Sequence, residues 1–149
     1  MLLNEKTNLQ LIGQNQEDLQ VISTYLQDSI VTVKDIVFLK KNRTFIMITN
    51  RFMWENLEKD ALKKNQRTRC ALKIEEVFSV KSKNINQKNK ERTLECLAIK
   101  SNPTNDDGYE IKIFFAGDSI ITIIVEAIEV LMRDIGRPWT VKHAPIHKI

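Results

Sequence analysis

The fold class the sequence predicts is α+β: a mainly antiparallel curved sheet or small barrel with one N-terminal and one C-terminal helix. Three observations predict it. Runs of β-branched and aromatic residues, separated by polar turns, fill the middle of the chain. Two stretches near its ends instead carry apolar residues at helical spacing. Strands and helices do not alternate, which argues against a parallel sheet with a nucleotide-binding switch point. With 149 residues, 42% of them hydrophobic and 28% charged, the chain has the size and composition of one domain with one core.

Taken in order, residues 8–13 read as a short strand closed by Gly13. Asn15 follows as a helix N-cap, with Asp18 completing a partial capping box. Leu19, Ile22 and Leu26 then recur at helical spacing, flanked by Val21 and Tyr25, and predict a helix over residues 16–28. Residues 30–33 and 36–39 are strand-like and lead through the polar turn 40–43 into a strand over 44–49. The polar segment 56–67 reads as a loop. Residues 69–81 predict the next strand, with a bulge where adjacent Val77 and Phe78 break the alternation. Strands over 93–100 and 109–115 flank the turn-rich segment 102–108, and the turn Ala116-Gly117-Asp118-Ser119 leads to a β-branched run over 120–125. Ala127, Ile128, Leu131 and Ile135 then predict a second helix, capped by Gly136 and stopped by Pro138. This order is closest, by analogy of architecture alone, to a pleckstrin-homology-like barrel plugged by its final helix. The whole of 1–149 reads as one domain with loosely ordered flanks at about 1–7 and 140–149.

Composition narrows the functional classes. No window approaches the roughly 18 consecutive apolar residues of a membrane helix, and the first residues lack a basic region followed by an apolar one. Cys70 and Cys96 lie in apolar strand patterns, as reduced core thiols do. These features predict a cytoplasmic protein with no membrane partner. The net charge is +4, and residues 59–92 concentrate it, with eleven Lys and Arg against four Asp and Glu. That asymmetry fits either an acidic partner such as nucleic acid or a general lysine-rich composition.

Catalytic signatures are missing. The sequence holds no Walker A, G-x-S-x-G, H-E-x-x-H or G-x-G-x-x-G motif. His143 and His147 are four apart, but Pro145 between them removes the helix that would align two metal ligands. Glu75 and Glu76 are adjacent in a strand-like run, where neighbours point to opposite faces. No cofactor or metal site is predicted.

The segment Asn50-Arg51-Phe52-Met53-Trp54-Glu55 combines a planar cation, large aromatics and an acid within six residues. Two readings fit it. Arg51 and Trp54 stack into an exposed patch that holds an anion, a base or a peptide, with Arg67 and Arg69 joining if their strands pair. Alternatively, Phe52 and Trp54 pack inward and Arg51 pairs with Glu55 or another acid. The first reading gives an interaction surface of Arg51, Trp54, Glu55, Arg67 and Arg69. The function it implies is a non-enzymatic module that binds a protein partner or a second copy of itself. Nucleic-acid or polyanion binding through residues 59–92 is the alternative, and an enzyme of unrecognised type is a third.

The chain also resembles a known family. The matching stretches are Glu17-Asp18-Leu19 leading to Leu26-Gln27-Asp28, Asn50-Arg51-Phe52 with Trp54-Glu55, Phe115-Ala116-Gly117-Asp118, Glu126 with Glu129, and Asp134. On these it resembles the alphaproteobacterial domain-of-unknown-function family DUF2948, from about Leu9 to His147. The resemblance implies a stand-alone bacterial cytoplasmic protein and brings no activity, substrate or cofactor with it.

Overall fold

Nine strands and one α-helix follow one another in a computed structural model that describes residues 9–56 and 65–146. The expectations for residues 1–7, for most of the 56–67 loop and for His147 lie outside the described residues.

The chain opens with β1 (Gln10–Gly13) and α1 (Gln16–Leu26). Asn15 caps α1, its side chain accepting from the Asp18 backbone N–H at 2.7 Å. The Asp18 carboxylate reaches one residue further back than a capping box does and accepts from the Gln14 N–H at 2.9 Å. Leu19, Ile22 and Leu26 are fully buried, and each contributes about 1.5–3 kcal/mol by leaving water. They seat α1 on β6, with further contacts to β1 and β3.

Next come β2 (Ile30–Leu39), a 3-10 turn (Lys40–Asn42), β3 (Thr44–Phe52), β4 (Gln66–Ile74) and β5 (Val77–Lys83). The remaining strands are β6 (Thr93–Pro103), β7 (Tyr109–Phe115), β8 (Ser119–Val125) and β9 (Val130–Thr140). They join edge to edge in the order β1-β9-β4-β3-β2-β6-β7-β8-β5, each described pair antiparallel. The expected antiparallel sheet is therefore present. The expected single strand over 69–81 is divided by Glu75 and Glu76, the latter at φ 61°. Those two carboxylates thus belong to a link and not to a strand. The expected bulge is there, as a register shift between Val77 and Ser79 against β8.

β2 is shared between two halves of the sheet. Ile30–Thr32 pairs with β6, with Ile30 and Val31 also paired to β3, whereas Ile36–Leu39 pairs with β3 alone. Between Val31 and Ile36 the strand advances five residues while β3 advances two, so β2 bends. Side chains from both halves then meet in one core that includes Phe45, Met47, Leu72, Ile111, Ile123 and Met132.

The expected C-terminal helix is a strand. Val130, Met132 and Asp134 face inward and Leu131 and Arg133 outward, the alternation of a strand. β9 is hydrogen-bonded on both sides, to β1 and to β4. The helical spacing of Ala127, Ile128, Leu131 and Ile135 carries no buried stripe, because two ladders of backbone bonds outweigh a local preference. Gly136, expected as a helix cap, has φ 81° where β9 runs ahead of β4, between the pairs Ile135–Arg69 and Trp139–Arg67. It is a bulge glycine. With no final helix to plug the sheet, the pleckstrin-homology analogy is not carried.

Candidate functional site

Strand alternation turns Arg51 inward from β3, beside Thr68 of β4. Its side chain is wholly buried, and a buried guanidinium must find partners for five N–H donors. All five are engaged. Nε and Nη2 donate to the two Asp134 oxygens, both at 2.8 Å. Nη1 and Nη2 donate to the two Glu55 oxygens at 3.1 and 2.7 Å, and Nη1 also reaches the Phe52 carbonyl at 3.4 Å. The Tyr25 ring of α1 lies 5.5 Å from the guanidinium carbon. Burial alone disfavours the charge, but the hydrogen bonds Arg51 donates to Asp134 and then Glu55 outweigh it and hold the Arg51 pKa above its ordinary value.

Arg51 therefore belongs to the interior and offers nothing to an outside partner. Of the two readings of this segment, the inward-packing one describes Arg51, paired with Glu55 and a second acid. Phe52 is buried, and half-buried Trp54 meets it edge-on at 4.6 Å and 63°. The indole Nε1 donates to the Gln27 carbonyl at 3.1 Å. The Arg51–Trp54 stack does not form.

β3 and β4 do pair, yet Arg67 and Arg69 do not join Arg51. Phe52 is opposite Arg67 and Asn50 opposite Arg69, so alternation places both arginines on the other side of the sheet. Arg67 is half-buried, donates to the Asn50 carbonyl at 2.9 Å and the Asp28 carbonyl at 3.3 Å, and lies over the Phe52 ring. Burial lowers its pKa against the opposing pull of Asp28 and Glu95. Arg69 is exposed. The basic segment is likewise divided: Arg69 and Lys73 point to one face, Lys81 and Lys83 to another, and Arg92 is bonded to Asn84 and Ser119.

Asp134 is the member of the cluster that sequence reasoning missed. An acid in phase with Val130 and Met132 demands a buried cation, a signal that a helical reading of the segment concealed.

Arg69 leads to a larger feature. On its side of the sheet, Ile12, Leu131, Lys73, Ile46 and Val37 stand in register across five strands. A second row runs Ile135, Arg69, Asn50 and Ile30. Ile48, Ala71 and Arg133 lie between the rows. At one end of this face Ile30 lines a hollow with Pro145 and Ile146 of the tail, and Phe52 is buried; Ile46, Ile48, Leu131 and Ile135 are half-buried. Ile12 is 60% exposed, Val37 43% and Leu39 42%. A solvated face of an antiparallel sheet is ordinarily polar. This one is apolar with three cations, Arg69, Lys73 and Arg133.

A family described as Protein of unknown function (DUF2948) matches residues 9–147. The chain belongs to this family. No curated protein and no solved structure matches the DUF2948 chain. Among its described residues no group of three His, Cys, Asp or Glu is placed to hold a metal, and no helix is long and apolar enough to cross a membrane. Cys70 and Cys96 are free and buried. Burial pushes both thiols up, that of Cys96 to about 12, which withholds the nucleophilic thiolate.

Proposed function

We propose that this DUF2948 protein is a non-enzymatic protein-interaction module, working in the cytoplasm through the outward side of β1, β9, β4, β3 and β2. The observation that carries the reading is the in-register row of Ile12, Leu131, Ile46 and Val37, with Ile12 and Val37 exposed and Leu131 and Ile46 half-buried. Contiguous exposed apolar surface mixed with cations marks protein contact. Of the residues singled out in the sequence, Arg67 and Arg69 share this side of β4, while Trp54 and Glu55 sit beside Thr24 and Tyr25 of α1, on the side where Arg51 is buried. The partner is a different protein with an apolar surface bearing Asp or Glu. A second copy would bring Arg69, Lys73 and Arg133 against themselves, and like charges across an interface are costly.

Capture of partners from a native lysate with nuclease present, using the wild type, Val37→Asp and Arg69→Glu, tests the reading. A defined protein should be recovered by the wild type and lost by at least tenfold in affinity, about 1.4 kcal/mol, in each variant. A partner indifferent to both substitutions would remove the face from consideration. In a parallel capture without nuclease, recovery of nucleic acid that depends on the basic residues of 59–92, such as Lys81 and Lys83, would instead support the polyanion reading.

A further inference from the structure

A second site lies on the other side of β2. Where β2 bends away from β6, its Ile36–Leu39 half is paired with β3 alone, and β5 is paired with β8 alone. Between these two strands is a cleft of about 230 Å³. Buried Phe45 and Ile121 form its floor, and half-buried Ile36, Phe38, Val80 and Ile85 form its walls. Interiors ordinarily close such space, because apolar atoms facing a void forgo their packing contacts.

The rim is polar, and its groups are not equivalent. Gln87 Nε2 donates to Ser82 Oγ at 3.1 Å, so these two partly satisfy each other. Lys90 is held by its backbone, which accepts from the Lys34 N–H at 3.1 Å. The neighbouring Glu91 is engaged by Lys34. Among the described residues no carboxylate pairs with the Lys90 ammonium. An apolar cleft with a few polar groups at its mouth is the usual form of a small-molecule site.

We propose that this cleft binds a small monocarboxylate with an apolar body, its hydrocarbon between Ile36, Phe38, Val80 and Ile85 and its carboxylate on Lys90. Size selects the body: a dry cavity of about 150 Å³ accepts benzene, so this one accommodates roughly six to nine carbons. Charge selects the head group. One ammonium on a rim whose other polar groups, Ser82 and Gln87, are neutral suits a single negative charge, whereas a phosphate dianion calls for an arginine fork or several donors. The site is independent of the docking face, since alternation points Ile36 and Phe38 into the cleft and Val37 and Leu39 away from it.

The test titrates the full chain with octanoate below its micellar concentration, with 1-octanol and octylamine as probes of equal length, following methyl NMR shifts and calorimetric heats. Octanoate should bind saturably, about tenfold more tightly than octanol and more tightly still than octylamine. Methyl shifts should concentrate at Ile36, Val80, Ile85 and Ile121. Lys90→Gln should reduce octanoate to the affinity of octanol and leave octanol unchanged. Ile85→Trp should abolish both, and Val37→Asp should affect neither. Absence of saturable binding overturns the proposal. So does equal affinity for octanoate and octanol, indifference to Lys90→Gln, or shifts centred away from the cleft.

Discussion

Removing either member of the Arg51–Asp134 pair leaves a buried charge without its partner, so Asp134→Ala and Arg51→Met should each cost about 3–5 kcal/mol in urea unfolding. The double variant Arg51→Met/Asp134→Leu should cost less than either alone, because it removes both charges while Glu55, at 21% side-chain exposure, keeps access to water. Additive losses would mean that the two side chains act separately. The thiols give a second residue-scale prediction. Cys70 and Cys96 both have pKa values raised above the ordinary value of 9.0, Cys96 to about 12, chiefly by burial. The folded chain therefore holds protons that the unfolded chain releases. Stability should be independent of these groups below about pH 9 and fall as pH rises from there toward 12. A thiol reagent at pH 8 should leave both cysteines unmodified in buffer and label both in denaturant. Half of the charge cluster was legible in sequence. Arg51 and Glu55 stand four residues apart, and their pairing was one of the two readings. The contact of Arg51 with Asp134 spans 83 residues, and no local pattern encodes such a distance.

At the scale of the element, legibility followed agreement between signals. In α1 the Asn15 cap, the helical spacing and the burial of Leu19, Ile22 and Leu26 coincide, and the helix stands where the pattern puts it. In β7 and β8 alternation and turn chemistry agree, and Gly117 and Asp118 take the positive φ their turn requires. β9 is the case where signals conflicted. Its apolar residues satisfy helical spacing locally, while its state is decided by neighbours drawn from β1 and β4, remote in sequence. The glycines separate two kinds of constraint on these elements. Gly136 has φ 81° with open space around it, so Gly136→Ala should cost about 1 kcal/mol from backbone strain alone. Gly108 is limited by contact instead, since a Cβ there would meet the Val125 carbonyl oxygen at 2.5 Å. Gly108→Ala should cost more, about 1–3 kcal/mol, because two adjoining strands must shift. Urea midpoints in the reverse order would show that β8 yields more readily than the bulge of β9.

For the whole molecule, the strand inventory was readable but the covering of the sheet was not. Phe45-Ile46-Met47-Ile48 is apolar at every position, which in a sequence implies that both faces are covered. The final helix was expected to provide one cover. Its absence leaves Ile46 and Ile48 on the face to which the interaction reading is assigned, and it is why that face could not be recognised from spacing alone. The two proposed sites then divide β2 between them, with Val37 serving one and Ile36 the other. A substitution confined to one side should therefore separate partner capture from ligand binding. The position of β9 has a consequence for how such a chain comes into being. The last strand of the described chain fills the place between β1 and β4 and supplies the carboxylate that Arg51 needs. While a ribosome is still extending the polypeptide, β4 has an open edge, β1 has nothing to pair with, and Arg51 has only Glu55. Completion of this half of the sheet waits until residues 130–140 have emerged, and until then the nascent protein exposes the unpaired edge that chaperones are suited to shield.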